Sequence, residues 1–245
     1  NNLIPPASFV FVEGGTLPAG ELAGTDVSNF YMGKHEVTWG QWKEVRSYAD
    51  ANGYDISSSG GGCADNHPVC RVKWYAVVKW CNAKSEQQGL TPVYTVSGAT
   101  YRTGRPIHTT IEQNLAANGY RLPLEAEWEF AARGGNQTNG YTYAGGSVLD
   151  AVGWYLYNSD GAACDLDAGH GTWPVGYKRP NELGLYDMSG NVTEWCWDQH
   201  FTSRRVRGGS FALEASFCTV SARGYSQPVT ELYGLGFRLA RSVAP

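Results

Sequence analysis

The stretch "RLPLEAEWEFAARGG", Arg121 to Gly135, carries the reading of the fold. Pro123 precedes a short helix, where a missing N–H costs little, and Trp128, Ala131 and Ala132 fall on the side that turns inward. Glu125, Glu127 and Glu129 enrich the N-terminal half, the end at which the helix dipole favours negative charge. Gly134 and Gly135 end the helix. Long regular helices are expected to be few. The 31 glycines, with Trp at 9 and Tyr at 15, suit a turn-rich fold whose loops are pinned by large aromatic anchors.

Upstream, "SFVFVEGGT" reads as a strand ending in a glycine turn, and "NFYMGKHEVT" as a second strand rich in aromatic and β-branched residues. Thr38 can then cap a helix. "WGQWKEVRSYA" places Trp39, Trp42 and Val45 on one face, and "WYAVVKWCNAKSEQQG" places Trp74, Val77, Val78 and Cys81 on one face before Gly89. Both are expected as amphipathic surface helices. From Leu90 to Tyr120 the chain is polar, with "VSGATYRTGRP" suggesting hairpin-like excursions and "TTIEQNLAANG" a short helical turn.

The 245 residues, 42% of them apolar, suffice for a sizeable core, and nothing marks a second domain, so one domain over residues 1–245 is expected. A net charge of −4 without a basic run argues against nucleic acid as a partner. No apolar run approaches the ~20 residues that span a bilayer, and "NNLIPPASFVFVEGG" lacks the layout of a signal peptide. The reading is of a mature or trimmed soluble segment. The six cysteines, Cys63, Cys70, Cys81, Cys164, Cys196 and Cys218, match neither a zinc framework nor a thioredoxin-like motif. Cys63 and Cys70 bracket the loop "CADNHPVC" and are expected to close a disulfide in an oxidising compartment; two unlinked thiols are the alternative.

With "RLPLEAEWEFAARGG" occur, in order, "NELGLYDMSGNVTEWCWD", "RVRGGSF" and "GFRLAR". Together these motifs resemble the formylglycine-generating enzyme/sulfatase-modifying factor domain family over about Phe9 to Ser242. The resemblance implies an α+β domain with the C-type lectin fold of the formylglycine-generating enzyme type: little regular secondary structure, two main helices, and terminal strands that pair. It also implies a chemistry to be tested residue by residue. The family's enzymes oxidise a substrate cysteine with two copper-holding cysteines after the "GGS" motif, because two soft thiolates select Cu(I). Here Cys218 stands at the second position and Leu213 at the first, five residues earlier, so no copper and no catalytic residue is expected. Cys218 is then a buried apolar residue or a disulfide partner. The histidines His35, His67, His108, His170 and His200 show no metal-ligand spacing, and no nucleophile elbow or phosphate loop occurs.

In "YDMSGNVTEW", Asp187 and Glu194 offer carboxylates while Gly190 and Val192 offer backbone carbonyls, the hard-oxygen set calcium takes. These positions match the family's calcium loop, and structural calcium is the cofactor expected; the alternative is a polar turn in which the acids bond to backbone amides. "NQT" at Asn136 and "NVT" at Asn191 are formal glycosylation sequons.

Gly208 to Ser242 is the segment whose middle follows no period. "CTVS", Arg223, Pro228 and "LGFR" read as fixed. Ala212, Leu213, Ser216, Phe217, Ala222, Gly224, Tyr225, Ser226, Val229, Thr230, Leu232, Tyr233 and Gly234 mix tiny, aliphatic and aromatic side chains with a period of neither 2 nor 3.6. Randomising the adenines of an asparagine codon excludes Trp, Lys, Gln, Glu and Met. All the residues just named fall in the accessible set; Glu214, Gln227 and Glu231 do not. From Val192 onward the chain has no Asn and no Lys. This pattern resembles the variable proteins of diversity-generating retroelements, with "FVFVEGGT", "FYMGKHEVT" and "GLTPVYT" closest to spirochaete members. The resemblance implies a non-catalytic, surface-exposed binding protein, held to the membrane only through a lipid anchor outside this stretch, with a protein or cell-surface molecule as its ligand. For each of Phe211 and Phe217, patch and core are equally open readings, whereas Tyr225 and Tyr233, flanked by Gly, Ser and Pro, are expected to reach solvent. A divergent oxidase using Cys218 and a noncatalytic structural subunit are the other classes to weigh.

Overall fold

A computed structural model describes residues 7–107, 110–160 and 169–243. Strand β1 (Phe9–Val12) is followed by a short ladder of β2 (Gly15–Thr16) with β3 (Asp26–Val27), and then by β4 (Phe30–Gly33). β1 and β4 pair antiparallel from Phe9↔Gly33 to Val12↔Phe30. Two helices come next, α1 (Trp39–Ala51) and α2 (Trp74–Gln87). A small sheet follows, made of β5 (Tyr94–Val96), β6 (Ala99–Thr100) and β7 (Ile111–Gln113). After α3 (Glu125–Ala132) and the single turn α4 (Leu149–Val152) come β8 (Thr193–His200), β9 (Ser203–Arg207), β10 (Arg223–Ser226) and β11 (Leu235–Gly236), in the spatial order β10-β9-β8-β11. The chain closes with β12 (Ala240–Ser242), which pairs antiparallel with β4. Both ends therefore meet in one sheet, of order β1-β4-β12, as the motifs imply.

α1 begins as its sequence dictates. The Thr38 side chain accepts from Gln41 N at 3.3 Å, and the Gln41 side chain accepts from Thr38 N at 3.0 Å, a reciprocal capping box. Its Trp42, Val45 and Ala49 face the core.

α2 departs from the expected surface helix: every residue from Trp74 to Ala83 is buried. It tolerates this because its polar members find partners in distant segments. Asn82 Nδ2 donates to Tyr94 O at 2.8 Å and to Tyr101 O at 3.1 Å, while Asn82 Oδ1 accepts from Tyr94 N at 3.0 Å. The Lys79 ammonium reaches Asp55. Buried polar groups satisfied in this way do not cost the desolvation that bars them elsewhere.

β7 occupies the place expected of a short helical turn. Ile111–Gln113 pairs with β5 from Val96↔Ile111 to Tyr94↔Gln113, so tertiary pairing overrides a weak local signal.

The core is aromatic. Trp42 and Trp80 stack with ring centroids 5.8 Å apart, and Phe237 sets its edge against both, at 6.0 and 5.4 Å. Phe237→Ala empties this fully buried site, which is expected to cost about 3–5 kcal/mol in chemical denaturation. A loss under ~1 kcal/mol would show that the aromatic cluster does not hold the helices to the terminal strands.

Candidate functional site

α3 sets the geometry of the site through its three glutamates, which are buried side chains rather than dipole partners at a surface end. Glu127 takes both guanidinium nitrogens of Arg121, at 2.7 Å each. Glu129 pairs with Arg207 at the end of β9 and with Arg133 at 2.7 Å. Glu125 accepts from Arg223 Nε and Nη2 at 2.8 Å each, with Arg205 at 3.5 Å. Arg207 then donates onward to Ala222 O at 2.8 Å and Ser221 O at 3.2 Å. Two charge-assisted contacts thus pin the backbone that carries β10.

The "RGGSF" motif lays the floor. Gly208 and Gly209 both take positive φ, +94° and +70°. A Cβ on Gly209 would lie 2.5 Å from Cys218 Sγ and 2.7 Å from Phe217 O, and one on Gly208 would lie 3.1 Å from the Trp128 ring. Only glycine passes between these groups. Above the floor opens a pocket of about 380 Å³, lined by Val206 to Leu213, Phe217, Ala222 to Ser226, Leu232 to Leu235 and Thr193.

None of the candidate variable positions is buried. Ala212, Leu213, Phe217, Ala222, Gly224, Tyr225, Ser226, Leu232, Tyr233 and Gly234 line the pocket; Ser216, Val229 and Thr230 lie outside its lining. Tyr225 is 63% exposed and Tyr233 44%, as expected. The two phenylalanines divide: Phe211 is core at 0%, while Phe217 is 56% exposed. The positions read as fixed divide: Cys218, Val220, Pro228 and Leu235 to Arg238 are buried, Thr219, Arg223 and Glu231 are half-buried, and Glu214, Ser221 and Gln227 are exposed. Gly234 is the tightest of the candidates, because a Cβ there would lie 2.8 Å from Ser210 Oγ.

Residues outside the segment complete the rim, and no local pattern marked them. His200 packs on Tyr225 at 4.7 Å, with Phe201 83% exposed beside it. Leu156 N donates to Leu213 O at 3.0 Å. Arg71 lies 5.0 Å from the Tyr233 ring. His200 closes β8, while Phe201, Leu156 and Arg71 come from loops brought in by tertiary contacts.

Cys218 is wholly buried, and burial pushes its thiol up to about 12. A thiol held neutral in this way is neither a nucleophile nor a ready metal ligand. Half-buried Leu213, on the pocket wall, supplies no second sulfur. The disulfide expected between Cys63 and Cys70 is not formed: Cys70 is a free buried thiol, whereas Cys63 is in a disulfide. Asn191, the core of one sequon, is 1% exposed, its amide donating to Glu36 Oε2 at 2.8 Å, so no glycan fits there.

The expected calcium set of Asp187, Gly190, Val192 and Glu194 does not fit this arrangement. Both oxygens of Glu194 are taken by Arg238, at 2.6 and 2.7 Å, and one also accepts from Trp128 Nε1 at 2.7 Å. A divalent cation would have to stand against a buried guanidinium. Val192 N donates to Glu36 Oε1 at 3.0 Å, and Asp187 Oδ2 accepts from Gly176 N at 2.7 Å. Among the side-chain oxygens of this group, Asp187 Oδ1 is the one without a hydrogen-bond partner. Burial raises the Asp187 carboxyl to about 6, with Glu194 adding to the shift. Burial, reinforced by Asp187 and Glu194, also pushes Glu36 well above the carboxylate range. The Arg238 guanidinium opposes both shifts. Among the described residues no three His, Cys, Asp or Glu side chains are placed to hold a metal.

Two helices against terminal strands that pair and a loop-built floor define a C-type lectin-like scaffold of the formylglycine-generating enzyme type. The chain belongs to the Sulfatase-modifying factor enzyme 1-like domain family, which it matches over residues 2–243. It is 36% identical to the chaperone protein LppX of Paenibacillus barcinonensis, over 88% of this chain and 82% of that one. The crystal structure of CarF superposes with a TM-score of 0.82 at 31% identity, covering 97% of this chain and 99% of the other. Treponema denticola variable protein 1 superposes with a TM-score of 0.72 at 29% identity, covering 96% and 94%. The resemblance to spirochaete variable proteins thus has a structural counterpart.

The acidic pocket makes a prediction with a sign. Asp187 binds its proton more tightly folded than unfolded, so its contribution is fully present below its ordinary value of 3.8 and is lost as pH rises through about 6. Asp187→Asn keeps the acceptor for Gly176 and suits the φ of +55°. It is expected to stabilise the protein on the order of 1 kcal/mol at about pH 7.5, with the gain fading at about pH 5. Calcium and chelator should leave the melting temperature of the parent chain unchanged. A calcium-dependent rise in melting temperature that Asp187→Asn abolishes would restore the metal reading.

Proposed function

We propose that the chain is a non-catalytic binding protein that displays a diversified patch on a fixed C-type lectin-type scaffold, as the product of a diversity-generating retroelement. The observation that carries this reading is the sorting of one segment. Its aperiodic, adenine-accessible residues all reach the surface and mostly line one pocket, while Cys218, Val220 and Pro228 between them anchor the segment as buried residues. Exposed Phe217, Tyr225 and Tyr233 give such a pocket low-entropy aromatic anchors among small residues. The likeness to the Treponema protein supports the same role, and display on the cell envelope through a lipid anchor follows from it. The partner is a protein or another cell-surface molecule.

Likeness to LppX favours a second reading, a dedicated chaperone whose apolar pocket holds one client segment. A single client selects a constant pocket; a receptor under diversification requires a changing one. An oxidase of the formylglycine-generating type is the reading least supported, since Leu213 and the buried Cys218 leave no thiolate pair.

Sequencing the DNA that flanks the gene separates these. The proposal predicts a near-copy of the Phe211–Gly234 coding segment whose mismatches fall only at adenines. No such copy, together with aldehyde formation from a cysteine-containing sulfatase peptide and copper, would overturn both the display role and the absence of catalysis. In any partner found, loss of Tyr225 or Tyr233 is expected to cost more than ~1 kcal/mol of affinity.

A further inference from the structure

A charged neighbour of the pocket comes from far outside the C-terminal segment. Arg71 lies between α1 and α2, holds a left-handed backbone at φ +54°, and is exposed. Its backbone is fixed on both sides: N donates to Leu232 O at 3.0 Å, and O accepts from Gly60 N at 2.9 Å. A non-glycine residue held in that conformation is strained unless its surroundings dictate it. The guanidinium lies over Tyr233, at 5.0 Å from the ring, at the pocket edge. The nearby Glu231 is occupied by Lys73 at 3.3 Å. Among the described residues no carboxylate forms an ion pair with Arg71.

The charge on the remaining wall points the same way. Two arginines, Arg207 and Arg223, line the pocket, already matched by Glu129 and Glu125, and no acidic side chain does, although the chain as a whole carries −4. An apolar cavity with a cation at its lip that pairs with no carboxylate among the described residues fits a group that is apolar in body and anionic at its end.

We propose that Arg71 is a fixed specificity determinant of this pocket, selecting partners that present an aromatic or aliphatic side chain next to a carboxylate. This rests on the pocket being the binding site. Arg71 supplies the ion pair from outside the C-terminal segment, so the segment can vary the shape of the recognised group while the preference for its charge stays constant.

Three probes that share one body test this: 3-phenylpropionate, 3-phenylpropan-1-ol and 3-phenylpropylamine, titrated into isotope-labelled protein and followed by NMR shifts of pocket residues. The carboxylate is expected to bind about threefold to fivefold more tightly than the alcohol, the scale an exposed ion pair supplies, and the amine most weakly. Arg71→Gln should erase the difference between carboxylate and alcohol without weakening the alcohol, Arg71→Lys should keep part of it, and high salt should shrink it. An equal affinity for carboxylate and alcohol, a preference that survives Arg71→Gln, or no binding by any probe overturns the inference. Alcohol binding at the pocket without charge preference would sink Arg71 alone and leave the pocket standing as the binding site.

Discussion

Arg238 and Glu194 form an ion pair from which solvent is wholly excluded, and three motifs of the chain meet on it. Arg238 comes from "GFR", Glu194 from "GNVTEW", and Trp128 of "EAEWEF" donates its indole N–H to the same carboxylate. Arg238 also donates to Gly33 O at 3.1 Å and to Tyr186 O at 2.9 Å, which ties β4 and the loop before β8 to the C-terminal end of the chain. Burying two charges costs several kcal/mol per ion, recovered only when the geometry is close and the remaining donors are filled. Here they are filled. The pair adds little net stability over an apolar substitute, but it accepts one register only, since any other arrangement would strand a charge in the core.

The same device, repeated one layer outward, separates the frame from what it displays. Arg207 with Glu129 and Arg223 with Glu125 hold the backbone around β10 by charge-assisted bonds to α3. Cys218, Val220 and Pro228 plug the segment into the core between exposed stretches. The side chains between these plugs contribute to no core cluster as buried members. On the proposed reading their identities can change without altering the path of the chain, so that one backbone carries many surfaces.

Much of this was legible beforehand, and the exceptions share a cause. The cap at Thr38, the short helix ending at Gly134 and the exposure of Tyr225 and Tyr233 follow from local chemistry that reads directly off neighbouring residues, while the pairing of the terminal strands came from the family resemblance. The burial of α2 does not, because Asn82 and Lys79 look like surface residues until their partners near Tyr94 and Asp55 are in place. The glutamates of α3 suggest a helix dipole; only the fold reveals Arg121, Arg207 and Arg223 waiting for them. Calcium was expected at Glu194 because the acid is visible in the sequence and the guanidinium across from it, Arg238, is 44 positions away. Arg71 escaped for the same reason. In each case the missing term is a long-range partner that changes what a charged residue is for.

The most direct test of the separation between frame and display is a saturation scan of Phe211 to Ser242, scored for folded protein by proteolysis and thermal melting. The account predicts alternation along the segment. Ala212, Leu213, Ser216, Phe217, Ala222, Tyr225, Val229, Thr230, Leu232 and Tyr233 should accept most side chains within ~0.5 kcal/mol each, as exposed sites do. Gly234 should resist bulk, and Phe211, Cys218, Arg223 and Leu235 to Ala240 should reject nearly every change. Uniform sensitivity across the segment, or destabilisation that tracks Tyr225 and Tyr233 as strongly as Phe237, would mean that the displayed side chains are part of the core.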